Sequence, residues 1–269
     1  MKRVLLVSIA ATAALALLWF VPPTVGPAVA QTSAETASPG AVPRMADGHP
    51  DLSGVWWGGA DVGGPGFGRG GGGGRGAPAP TFTSLYQPAA AEKAATLTDE
   101  NDPTLRCVST AFGTMNVRFW DVGAVGQIIS TPGFVVMLTE TYHGFQLIPT
   151  DGRPHRDYVP PSWRGDSVGH WEDDTFVVET TNFTDDTWMF AEGRVSFHSD
   201  ALRIVERYRR LDANTLRIEA TVEDPEVLTG PWTVPTQTLV LAPFDQIMPL
   251  DCVGSEGQAV MEGAFQQDP

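Results

Sequence analysis

Apolar and polar positions alternate with period two over much of the C-terminal half of the chain. In Leu202–Tyr208, Leu202, Ile204, Glu206 and Tyr208 fall on one face and Arg203, Val205 and Arg207 on the other. In Leu216–Glu223, Leu216, Ile218, Ala220 and Val222 oppose Arg217, Glu219, Thr221 and Glu223. Successive side chains of a strand point to opposite faces, so both segments read as strands with one wet face. Asp212-Ala213-Asn214 supplies the short hairpin loop between them. Upstream, Gln127–Ser130, Phe134–Thr141, Phe145–Pro149 and Thr175–Phe183 are rich in strand-forming residues, and Trp232–Leu241 ends the series. Turns are marked at Tyr142-His143-Gly144, Thr150-Asp151-Gly152-Arg153 and Glu172-Asp173-Asp174. Asp51–Trp57 reads as a turn entering a strand, and Ser162–Trp171 reads as a loop. Pro88–Leu97 is the best helix candidate, because alanines, Glu92 and Lys93 favour it and proline suits a first turn.

Consecutive strands, short turns and few helices predict a mainly β fold. The sheet must hide its apolar face, so an antiparallel β-barrel or a sandwich with one short helix is expected.

The organisation along the chain follows from composition. Met1–Ala30 has the form of a secretory signal: Lys2 and Arg3, an apolar run Val4–Val21, then Ala28-Val29-Ala30. The competing reading is a retained anchor, but Pro22 and Pro23 close a run barely long enough to span a bilayer. Residues 31–46 read as a disordered leader, 47–255 as a single β-rich domain and 256–269 as a tail. Within the domain, 58–80 is a glycine-dominated flexible insertion. It lacks the strand-to-helix context and the Lys-Ser/Thr ending of a phosphate loop.

A net charge of −15 repels phosphate backbones, so no nucleic-acid partner is expected. No membrane span is expected after signal cleavage, and the expected location is periplasmic or secreted. In an oxidising compartment the isolated pair Cys107 and Cys252 reads as a disulfide, with two unpaired thiols as the alternative.

A long motif string carries a resemblance. Asp151-Gly152-Arg153-Pro154-His155, Gly165–Glu172 and Asp174–Thr184 are similar to a large, mainly uncharacterised family of secreted bacterial β-rich proteins. Thr131–Val136, Glu140–His143 and Leu202–Arg207 share the likeness, which extends from Asp47 to Cys252; the glycine insertion departs from it. The resemblance implies export and a β fold, and it implies no activity. Gly54-Val55-Trp56 is also similar to the Gly-x-Trp start of lipocalins, which favours a lipocalin-like barrel around a small ligand.

Four residues are candidates for acid–base catalysis. Odd spacing puts Glu140 and His143 on opposite faces of a regular strand, so they converge only if His143 sits in the turn before Gly144. His155 shares an extended Arg-Pro-His segment with Arg153, where both side chains point the same way and could together bind an anionic or carbonyl oxygen, with a turn held by Asp151 as the plainer reading. Asp166 is the preferred acid, with an Asx turn before Ser167 as the plainer reading. Arg118, Tyr142, Arg153, Trp163, His170 and Trp171 are candidate ligand-binding residues, the two tryptophans because aromatic side chains in a loop pack or bind. The histidine spacings match no metal motif, and no dinucleotide fingerprint or Cys-x-x-Cys occurs, so neither metal nor cofactor is expected.

The resulting expectation is an exported barrel that holds or acts on a small hydrophobic or aromatic molecule with one polar end, in an aromatic-lined internal cavity. If catalytic, it would be a cofactor-free lyase, isomerase or hydrolase using His/carboxylate chemistry. The alternatives are a non-catalytic carrier of small lipophilic ligands and a cell-envelope interaction protein. The sequence does not fix an oligomeric state.

Overall fold

Alternating side chains build a nine-stranded antiparallel sheet in the computed structural model. The model describes residues 40–58, 80–111, 125–140, 144–189 and 195–248, all within one compact unit. The strands are β1 (Gly54–Trp57), β2 (Val125–Ser130), β3 (Phe134–Thr139), β4 (Phe145–Pro149), β5 (Asp166–Glu172), β6 (Thr175–Thr181), β7 (Arg203–Arg210), β8 (Thr215–Glu223) and β9 (Trp232–Leu241). The one α-helix, α1, spans Pro88–Ala94, starting at the expected proline and ending short of Leu97.

The strand order is β4-β3-β2-β1-β9-β8-β7-β6-β5, and the sheet curls into a nearly closed barrel. Of the two architectures expected, the barrel is the one formed. Its end strands meet without a ladder. Gly152 N donates to Gly169 O at 2.9 Å, and Gln146 Nε2 donates to Arg164 O at 3.0 Å. Gly169 permits the close end of this seam: a Cβ there would lie 2.5 Å from the Phe176 ring and 3.1 Å from Ile148 Cγ2.

Two clusters of buried side chains form the core among the described residues. One cluster packs Leu52, Trp56, Ile128, Met137, Ile148, Phe176, Tyr208 and Leu216 inside the sheet. A second joins Phe82, Tyr86, Phe183, Trp188, Phe197, Val222 and Trp232 beneath α1. The inward set on β7 includes the buried pair Glu206 and Tyr208, with Tyr208 Oη donating to Glu206 Oε1 at 2.8 Å. Opposite β8, the register of β9 slips by one residue around Pro235. A bulge tolerates a proline, which has no N–H to give the ladder.

One expectation is corrected. The Ser162–Trp171 stretch is a loop only as far as Gly165, because Asp166–Glu172 pairs along its whole length with β6. Alternation decides it: Ser167 and Gly169 are buried on the inner face, and His170 and Glu172 are exposed on the outer one. Among the described residues no helix is long and apolar enough to cross a membrane. The signal segment, the leader before residue 40, the core of the glycine insertion and the tail lie outside the described residues.

Candidate functional site

The stretch after β4 runs back across the outer face of β5 and β6, where it brings two of the predicted residues together. His155 Nδ1 lies 3.1 Å from Asp166 Oδ2, and its Nε2 lies 3.2 Å from Glu179 Oε1. Asp166, almost fully buried, also accepts from the Arg156 backbone N–H and from the Arg156 guanidinium through Nε at 2.9 Å and through Nη2. Glu179 accepts from Arg203 through Nε at 3.0 Å and through Nη2, and Arg203 also donates to Glu223 at 2.8 Å. Burial alone would raise the Asp166 carboxyl, but the Arg156 and His155 hydrogen bonds outweigh it and hold it below its ordinary value. Glu179 behaves alike: burial raises it, and Arg203 with His155 brings it below the usual carboxylate range. The arrangement is a chain of arginines and carboxylates with His155 between Asp166 and Glu179, and it fastens residues 155 and 156 to the sheet.

The other predicted residues disperse. Glu140 is buried, and its Oε1 accepts from Met248 N at 2.7 Å, so it holds the segment after β9. His170 faces outward to Glu172 at 3.2 Å, and Glu172 also accepts from Arg207 at 2.6 Å. Trp171 points inward, stacks on His49 with ring centres 4.7 Å apart, and neighbours Phe176. Trp163 precedes β5, at the end of the strand away from Trp171, and its indole N–H donates to Asp186 at 3.3 Å. The two tryptophans therefore do not share a site. Arg153 pairs with Asp151 at 2.7 Å and lies over the Phe134 ring. Its guanidinium holds Asp151 at about 2. Arg118, Tyr142, His143 and Cys252 lie outside the described residues.

Where β4 and β5 separate, the seam opens into a cavity of about 540 Å³. Phe145, Leu147 and Trp163 wall it, and Gln146, Arg156 and Arg164 supply polar edges. Phe145 and Leu147, on the outer face of β4, are 67% and 54% exposed. Arg164 donates to Thr139 Oγ1 at 3.3 Å and occupies the space a side chain at Gly144 would need. A smaller cavity of about 80 Å³ adjoins it, sharing Leu147, Arg156 and Ser167 and adding Phe134 and Arg153.

Several residues of this region escaped the sequence reading. Arg156, Glu179 and Arg203 were placed in no site, although the outer-face alternation of Arg203 and Glu223 carried their pairing, which the register Arg203↔Glu223 realises. Glu206 stood among apolar residues on the inner face of its strand, a pattern that marks a buried carboxylate. His198 is also buried, donating from Nδ1 to Ser199 O at 2.8 Å, while its Nε2 has no partner among the described residues. Burial drives its imidazole below the ordinary histidine value. Among the described residues no group of His, Cys, Asp or Glu is disposed to hold a metal ion.

No family model matches the chain, and no curated protein or solved structure is significantly similar to it.

Proposed function

We propose that the protein binds a small hydrophobic or aromatic molecule with one polar end at the β4–β5 seam, as a carrier of lipophilic ligands does. The observation that carries this reading is the cavity of about 540 Å³ walled by exposed Phe145, Leu147 and Trp163 beside Arg156. Its size, and three large apolar side chains set among polar ones that include Arg156, Arg164 and Asp166, suit a small molecule with a polar end. A lyase, isomerase or hydrolase would need a group free to exchange protons. The His155 constellation argues against that role, since each of its carboxylates is bound by an arginine and held low. Export and a Cys107–Cys252 bridge belong to the same reading. The signal-like Met1–Ala30 segment supports export, and the absence of a free thiol among the described residues supports the bridge.

The test uses N-phenyl-1-naphthylamine, a neutral lipophile whose emission rises in apolar surroundings. Saturable binding that Trp163→Ala weakens about tenfold, equivalent to about 1.4 kcal/mol, supports the site. Binding that neither Trp163→Ala nor Leu147→Asp alters places the ligand elsewhere and overturns it. A second reading, docking of a cell-envelope partner, is favoured by exposed Ile129, Phe134, Phe145 and Leu147 on β2–β4. A macromolecular partner would also cover Ile129, which a seam ligand leaves open.

A further inference from the structure

The two cavities at the seam share Leu147, Arg156 and Ser167 in their walls. Phe145 and Trp163 stand over the larger cavity, Leu147 spans both, and Phe134 borders the smaller one. Arg156 lines both cavities and Arg153 lines the smaller. Each of these arginines spends Nε and Nη2 on a single carboxylate, Arg153 on Asp151 and Arg156 on Asp166. The carboxylate fixes the plane of each guanidinium and leaves Nη1 without a protein partner among the described residues. Both side chains are about half exposed, at 47% and 53%. Two oriented cations with donors to spare, beside a strip of exposed apolar side chains, stand out on a chain of net charge −15.

We propose that the seam groove takes a single-chain amphiphile with an anionic head, its head between Arg153 and Arg156 and its chain along Leu147 toward Phe145 and Trp163. The inference rests on the seam being a ligand site and adds the class of ligand. Guanidinium–carboxylate and guanidinium–phosphate contacts have the same charge-assisted chemistry, so a fatty acid and an alkyl phosphate are both candidates. The apolar side chains Phe145, Leu147 and Trp163 are exposed, which suits a chain lying along them better than a rigid molecule enclosed on all sides.

The experiment measures displacement of N-phenyl-1-naphthylamine by laurate, dodecyl phosphate, dodecanol and dodecyltrimethylammonium, all below their micelle-forming concentrations. Wild-type protein should favour both anions over the alcohol and the cation by at least about tenfold. Whichever anion is preferred identifies the head group. Arg153→Gln should remove that preference, read as the ratio of anion to dodecanol displacement, whereas Arg153→Lys should retain part of it. Leu147→Asp should weaken all four. Equal displacement by the four probes, or a preference that survives Arg153→Gln, would overturn the anionic-head assignment while leaving a neutral-ligand site intact. Dye binding that none of the four can displace also overturns it. Failure of the dye itself to bind removes the seam reading on which the inference stands.

Discussion

His155 sits 3.1 Å from Asp166 through its Nδ1, and that contact joins the segment after β4 to the outer face of β5. Asp166 receives Arg156 as well, so one buried carboxylate anchors two consecutive residues of the segment. Asp166→Asn keeps the shape but removes the charge that both neighbours satisfy. Hydrogen bonds to charged groups contribute about 1.5–3 kcal/mol each, and Arg156 is half exposed, so the expected loss is about 1–3 kcal/mol in all. Urea unfolding measures it. Binding of an anionic probe at the seam should weaken as well, because Asp166 sets the plane of the Arg156 guanidinium and borders the cavity.

Acid should destabilise the protein in two separate windows. Asp166 and Glu179 are held below their ordinary values of 3.8 and 4.5. A depressed carboxylate contributes stability that is complete above its unfolded value and is lost as pH falls through the folded one. The second window opens earlier. His198 is driven below its ordinary 6.5 by burial, so the unfolded chain takes up a proton there before the folded one does, and stability falls as pH drops below 6.5. Urea midpoints between pH 7 and pH 3 should therefore show two descents. His198→Gln should flatten the upper one only, and Asp166→Asn should reduce the lower one only.

Gly165 marks the point where the loop enters β5. Its φ is +68°, and a Cβ would lie 2.4 Å from the Thr181 carbonyl oxygen, which is backbone and cannot rotate away. Gly165→Ala should cost about 1–3 kcal/mol from the left-handed backbone alone, with the clash in addition. Thermal unfolding reads the loss. An alanine variant as stable as the parent would mean that this turn is built differently.

Strand identity was legible where one face is wet. β7 and β8 alternate cleanly, and both formed with the predicted faces inward and outward. β5 was hidden for a physical reason: its inner positions are Ser167, Gly169 and Trp171, two of them too small or polar to register as apolar. Gly169 is small because Phe176 and Ile148 fill its space. The seam was not legible at all. It depends on which strands end the sheet, a property of the closing order, and the sequence pattern of Phe145–Pro149 says nothing about its neighbour across the gap. His155 and Asp166 were singled out separately, but their contact, and the part Arg156 has in it, required the fold.

The proposed Cys107–Cys252 bridge would close a loop spanning most of the domain, and the chain-entropy model assigns such a loop up to about 5 kcal/mol. Intact mass of non-reduced, alkylated protein should show no alkyl adduct. Cys252→Ser should lower stability by about 2–5 kcal/mol, and reducing agent should do the same to the parent. Two alkylated cysteines in the native protein would dismiss the bridge.

The most direct measurement of the central claim is amide hydrogen exchange with and without a saturating lipophilic ligand. The account predicts slowed exchange in 144–147 and 162–167, which border the seam cavity, and unchanged exchange around Gln87 and Leu228, which border a separate cavity under α1. Protection at Gln87 and Leu228 with none along the seam would contradict it.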